Sequence, residues 1–154
     1  MKQEEPLFLD VDFDQRKKAG QYVCGDSFFS RKLPGRNRVV SVLSDGLGSG
    51  VKASILSSMT GTMALRFMEG DMEILRSAEV MMDALPVCRK RGISYATVTI
   101  VDAVLHGWTR VIEMDNPPFL LVRGGRVMTP GRREMASSRW KDRKITVNEF
   151  FARP

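Results

Sequence analysis

A strand, a glycine-rich turn and a helix follow one another without interruption around residue 45. The apolar run of residues 39–43 predicts a buried strand, and the apolar periodicity of residues 51–67 predicts a helix. Between them lies Ser-Asp-Gly-Leu-Gly-Ser-Gly, which places the Asp45 carboxylate at the end of a strand and directly before flexible backbone. Because glycine lets the backbone approach closely, a carbonyl can join this carboxylate as a ligand of a hard metal cation.

Two other interpretations of this turn stay open on the residues alone. A glycine-rich turn between a strand and a helix can bind a phosphate group. The turn contains no lysine or arginine, however, and the residues after Gly50 fit neither common phosphate-binding spacing. The simpler interpretation is a tight turn in which Asp45 is a turn residue or the cap of the following helix.

A second carboxylate upstream strengthens the metal hypothesis. Gly25 and Asp26 lie in residues 22–29, which also favour a strand, and Arg36-Asn37 marks a turn between the two strands. Adjacent antiparallel strands would bring Asp26 and Asp45 close together. Facing carboxylates repel and need a proton or a cation between them. Oxygen ligands of this kind favour magnesium, manganese or calcium over zinc.

These motifs resemble those of a known enzyme family. Gly25-Asp26 followed by residues 44–50 and a helix is similar to the metal-dependent PPM (phosphatase 2C-like) protein serine/threonine phosphatases, in particular the bacterial stage II sporulation protein E type. The helix in residues 52–69 also agrees with that type, as do the Ala-Thr strand of residues 94–102 and the Asp-Asn-Pro-Pro turn in residues 115–123. The likeness covers nearly the whole chain.

The resemblance implies a function and a site. The implied activity is hydrolysis of phosphoserine or phosphothreonine in a regulatory protein, for example one of the anti-anti-sigma type, by a metal-activated water. The implied cofactors are two Mn²⁺ or Mg²⁺ ions. The implied ligands are the carboxylates of Asp26 and Asp45 and the carbonyl of Gly46. In this family the helices after the turn also switch activity through partner contact or self-association, so we expect a regulatory or homodimer surface there.

The likeness stops at the C-terminus. Phosphatases of this family continue into a further strand that ends in Ser/Thr-Asp-Gly, and a later acidic residue completes their metal cluster. The sequence ends at Pro154, before both. We therefore expect residues 1–154 to be a single phosphatase domain truncated at its C-terminus. The alternative is a catalytically incomplete binding or regulatory module with the same fold.

The element order predicts an α+β fold in which helices flank two stacked antiparallel sheets. The first helix carries Val51, Ile55, Met59 and Met63 on one apolar stripe, which predicts its core-facing side. The polar residues 131–143 predict a loop. The remaining patterns predict helices over residues 50–69 and 72–85, and strands over residues 7–13, 21–29, 37–44, 94–104, 108–115, 118–123, 126–129 and 143–151.

Composition excludes several classes of protein. The chain of 154 residues has no apolar run near the roughly 20 residues of a membrane span, and its charged N-terminus lacks a signal-peptide core, so we expect a cytoplasmic protein without membrane contact. The arginines and lysines behind the net charge of +6 fall at turns and near the C-terminus, without a nucleic-acid-binding motif, so we expect no nucleic-acid partner. Cys24, Cys88 and the single histidine, His106, are not arranged as a disulfide framework, a zinc site or a nucleophile with its base.

Overall fold

The computed structural model describes residues 7–85, 96–137 and 143–152. Six strands form one antiparallel sheet in the order β1-β2-β3-β4-β8-β7, and β5 and β6 form a separate hairpin. The elements are β1 (Asp26–Leu33), β2 (Arg38–Gly46), α1 (Gly50–Glu69), α2 (Ile74–Ala84), β3 (Ala96–Val104), β4 (Trp108–Met114), β5 (Leu121–Arg123), β6 (Arg126–Met128), β7 (Gly131–Ala136) and β8 (Lys144–Phe151).

The core lies between one face of the large sheet and the two helices. Alternate residues of the central strands point to the helices, and they include Val40, Val42 and Val98, which are almost fully buried. Met68 of α1 and Met81 of α2 pack against them. The predicted α+β fold is confirmed. Within the described residues, its β structure consists of the six-stranded sheet and the small hairpin.

Helix α1 turns a different face to the sheet from the one predicted. Val51, Ile55 and Met59 are 62%, 54% and 51% exposed. The buried face carries mainly small residues, and a Cβ added to Gly61 would lie 2.5 Å from the ring of Phe29. At Gly61 the helix therefore packs too close to β1 for a larger side chain, and the stripe of Val51, Ile55 and Met59 is left on the outside. The small buried residues are Gly50, Ala53, Ser57, Thr60, Gly61 and Ala64.

An ion-pair network joins the corner between α1 and α2 to the sheet. Asp102, which is 1% exposed, accepts hydrogen bonds from Arg38 at 2.6 and 3.1 Å and from Arg110 at 2.8 Å. Arg38 also donates to Asp71 at 2.5 Å, and Arg36 donates to the same carboxylate. The hydrogen bond to Asp102 is the main cause that raises the pKa of Arg38, and the hydrogen bond from Arg38 lowers the pKa of Asp71. These contacts fix the corner to the starts of β2 and β4.

Two segment predictions were wrong, and the strand predicted over residues 21–29 instead spans Asp26–Leu33. Residues 7–13 do not form a strand, and Phe8 and Phe13 are largely exposed. Residues 131–136, predicted as part of a loop, form the edge strand β7, which pairs with β8. This strand has no buried face, so it lacks the apolar alternation by which strands are recognised. The rest of that predicted loop includes residues 138–142, which lie outside the described residues.

None of the described helices is long and apolar enough to cross a membrane.

Candidate metal centre

Asp26 and Asp45 lie directly opposite each other at one end of the sheet. Asp26 is the first residue of β1 and Asp45 is the second-last residue of β2, and the antiparallel register pairs them. Both residues are exposed, on the face of the sheet away from the helices, since the alternate residue Ser44 is buried on the helix side. The expected juxtaposition of the two carboxylates is therefore present. Metal binding by them stays a prediction.

The two carboxyl groups interact unfavourably when both are charged. Partial burial raises the pKa of Asp45 to about 6, and a hydrogen bond to Asp26 and the charge of Asp26 add to the shift. Among the described residues, no lysine or arginine forms an ion pair with either aspartate. A proton or a divalent cation would relieve the repulsion, so the chemistry of the pair suits a hard metal ion.

Gly46 sits at the tightest point of the site. A Cβ at this position would lie 2.1 Å from the backbone oxygen of Ala53 in α1 and 2.7 Å from the backbone oxygen of Gly25. Only glycine allows this approach between the end of β2, the first turns of α1 and the residue before Asp26. The lack of a side chain at Gly46 therefore lets the two aspartates and the start of α1 lie close together. The Gly46 carbonyl as a metal ligand stays a prediction.

The chain N-terminal to β1 frames the site. Gln15 donates a hydrogen bond of 3.1 Å to the backbone oxygen of Asp26. The side chain of Gln21 lies against Gly50, where the backbone has a left-handed φ of 74° and an added Cβ would be 2.2 Å from the Gln21 amide oxygen. These contacts attach the chain before β1 to the backbone of Asp26 and to the start of α1.

A polar group on β3 extends the site, and no sequence motif predicts a role for it. Thr97 is the register partner of Asp45 on β3. Its hydroxyl donates to the side-chain oxygen of Asn116, and the Asn116 amide nitrogen donates to Thr99 at 2.8 Å. The Asp-Asn-Pro-Pro turn is visible in the sequence, but only the register of the sheet brings Asn116 over Thr97, opposite Asp45, and its neighbour Thr99.

Other candidate ligands do not join this pair. Within the described residues, no group of three or more aspartate, glutamate, histidine or cysteine side chains is arranged to hold a metal ion. Cys24 is half-buried and donates to the backbone oxygen of Arg16. His106 lies in the turn between β3 and β4, at the other end of β3 from Thr97. Cys88 lies outside the described residues.

Comparison with solved structures identifies the fold. RsbX in complex with magnesium aligns with 91% of this chain at 20% identity and a TM-score of 0.65, and the phosphatase domain of SpoIIE from Bacillus subtilis aligns with 91% at 18% identity and a TM-score of 0.60. The chain has the fold of PP2C-type phosphatase domains. The RsbU and RsbW domains of Rv1364c from Mycobacterium tuberculosis align with 88% at 19% identity and a TM-score of 0.61.

The alignments cover only part of each similar structure. The chain spans 66% of the RsbX chain, 60% of the SpoIIE phosphatase domain and 38% of the Rv1364c chain. No protein-family model matches the sequence, and no curated protein sequence matches it significantly. The structural alignments, and not a sequence match, confirm the fold predicted from the resemblance.

Proposed function

We propose that this chain is part of a metal-dependent protein serine/threonine phosphatase. The observation that carries the proposal is the Asp26–Asp45 pair, placed at one end of a PP2C-type sheet with no cationic side chain paired to it among the described residues. A hydrolase of the phosphatase type agrees with the similar solved structures. The cytoplasmic location and the single domain expected from the sequence stay predictions.

We propose Asp26, Asp45 and the Gly46 carbonyl as ligands of Mn²⁺ or Mg²⁺. The donors are all oxygens, which fits these hard cations better than zinc. A bound divalent ion would supply Lewis-acid activation of water and would neutralise charge on a phosphate ester. RsbX, one of the similar structures, was crystallised with magnesium, which supports this choice of metal.

The chain's own residues would keep this site in place. The contact between Gly46 and Ala53 fixes the Asp45 turn to α1, and Gln15 holds the backbone of Asp26. Asn116, whose side chain already bonds to Thr97 and Thr99, would border the site on the β3 side and present the second N–H of its amide to a polar substrate group. These roles are orientation and binding, and none requires a titrating side chain.

The proposed substrate is a phosphorylated regulatory protein. A phosphoserine or phosphothreonine protein of the anti-anti-sigma type is the partner implied by the sequence resemblance. One of the similar structures contains an RsbU domain together with an RsbW domain, which supports a regulatory protein partner. Self-association is a second proposed interaction, supported by the exposed stripe of Val51, Ile55 and Met59 on α1.

The alternative is a catalytically incomplete module that keeps the fold for binding or regulation. It is favoured by one observation, that the described residues offer only two clustered carboxylates. Metal binding with substrate capture but without turnover would identify this alternative.

Hydrolysis of a phosphoserine peptide tests the proposed activity. After chelation, the protein is supplied with Mn²⁺, Mg²⁺ or Zn²⁺, and phosphate release is measured. We expect release with Mn²⁺ or Mg²⁺ and its loss in Asp45→Asn, because that variant keeps the shape of the side chain but removes a ligand charge. Full activity with zinc alone would contradict the metal assignment, and unchanged turnover in Asp45→Asn would exclude Asp45 as a ligand.

A further inference from the structure

A cleft of about 380 Å³ opens at the end of the sheet remote from Asp45. It lies between the α1–α2 corner and the strands β2, β4 and β7. Arg38, at the start of β2, lines it, while Asp45 is seven residues further along the same strand, roughly 23 Å away at about 3.3 Å per residue. The cleft is therefore separate from the candidate metal centre.

The cleft has a cationic wall and an apolar wall. Arg38, Arg110 and Arg133 supply the cationic wall. The apolar lining comes from the α1–α2 region and β7, with Asp71 and Glu73 at the corner between the helices. The apolar lining residues are Met68, Met72, Ile74 and Met135.

The acidic groups of the cleft are already engaged. The Asp71 carboxylate accepts from Arg36 and Arg38. The Glu73 carboxylate caps α2, accepting from the backbone nitrogens of Leu75 at 2.9 Å and Arg76 at 2.8 Å. The N-terminus of α2 is thus satisfied by its own cap and offers no free backbone donors of Leu75 or Arg76 to a ligand.

Positive charge in the cleft is left over after this pairing. Arg133 is exposed on β7 and forms no hydrogen bond or ion pair with any residue that the structure describes. Arg110 uses one terminal nitrogen on Asp102, and its guanidinium carbon lies 5.3 Å from the centre of the Trp108 ring, while its buried Nε has no hydrogen-bond partner among those residues. Glu149 lies opposite Arg110 in the register but does not line the cleft. Guanidinium groups with free donors bind phosphate strongly and with defined geometry.

We propose that this cleft binds an organic phosphate, with the phosphate group at Arg110 and Arg133 and the organic part against the apolar wall. The volume of the cleft lies within the range of small-molecule sites and exceeds what a phosphate group alone would fill. The ligand would bind without a metal ion, because its anchors are arginines. The site is thus independent of the proposed phosphatase centre.

Calorimetric titration in the presence of a chelator tests this proposal, since no metal then holds phosphate at Asp26 and Asp45. The probes are phenyl phosphate, inorganic phosphate and phenol. Wild type should bind phenyl phosphate saturably and more tightly than inorganic phosphate, and phenol should not bind detectably. Absence of saturable phenyl phosphate binding, or equal affinity for the two phosphates, would overturn the proposal.

A matched pair of variants on β7 locates the site. Arg133→Gln should weaken phenyl phosphate binding about five- to tenfold, the size expected for one partly solvated charge-assisted hydrogen bond. Arg132→Gln makes the same change of charge on the opposite face of the strand, where Arg132 contacts Glu134 and Thr146, and should leave the affinity unchanged. Equal effects of the two substitutions would indicate general charge attraction and overturn the assignment to the cleft.

Discussion

Gly46 is held by its surroundings more tightly than either aspartate beside it. Because an added Cβ would meet backbone oxygens at 2.1 and 2.7 Å, Gly46→Ala must push α1 away from β2. We expect a loss of about 1–3 kcal/mol in the free energy of unfolding, the usual cost of overpacking, measured by urea denaturation. Gly131→Ala is the control, since a Cβ there meets nothing within 4 Å, and it should change stability by less than about 0.5 kcal/mol. Equal losses would contradict the packing described.

The pKa of Asp45 predicts a pH-dependent stability in the metal-free protein. The folded state raises this pKa from an ordinary value near 4 to about 6, so it binds the proton more tightly than the unfolded chain does. The Asp45 contribution to stability should therefore fall as pH rises from about 4 to about 6, and the penalty should remain above that range. Asp45→Asn removes it. We expect the variant to gain stability relative to wild type at pH 7 but not at pH 4, in urea unfolding with a chelator present. A gain that is the same at both pH values would contradict the coupling.

Helix α1 provides a prediction about an exposed apolar face. Ile55 lies outward, whereas Leu65 on the same helix is 5% exposed. Ile55→Glu should change the free energy of unfolding by less than about 0.5 kcal/mol, while Leu65→Ala should cost about 2–5 kcal/mol. If the stripe mediates self-association, Ile55→Glu will also lower the mass in solution measured by light scattering. A large stability loss in Ile55→Glu would show that the stripe is buried, and an unchanged mass would remove the self-association hypothesis.

The helices and most strands could be predicted because their apolar residues repeat at the period of the element. The face that α1 buries could not be, since most of its contact residues before Leu65 and Met68 are glycine, alanine, serine and threonine, and small side chains carry little hydrophobic periodicity. Strand β7 was missed for a related reason, because as an exposed edge strand it has no apolar side. The Asp26–Asp45 pairing was predictable from two short motifs and one turn. The position of Asn116 was not, because it depends on the pairing of β4 with β3 and on the register of β3 against β2.

At the scale of the whole molecule, α1 connects two polar regions at opposite ends of the sheet. Its first residues follow the Asp45 turn and touch Gly46. Its last residue, Glu69, accepts hydrogen bonds from Arg31 at 2.6 Å and Arg66 at 3.0 Å, next to the corner held by Asp71. The helix is thus fixed to the sheet at both ends. A shift of α1 along its axis would have to break one of these groups of contacts.

The central claim is that Asp26 and Asp45 form a divalent metal centre, and Mn²⁺ titration followed by electron paramagnetic resonance tests it most directly. The control variant is Glu149→Gln, which removes the same charge from an exposed carboxylate on β8. We predict saturable Mn²⁺ binding by wild type and by Glu149→Gln, and at least about tenfold weaker binding by Asp45→Asn, since even residues that only support a metal ligand typically change affinity by that much. Equal Mn²⁺ affinity in Asp45→Asn and wild type, or no saturable binding by wild type, would contradict the claim.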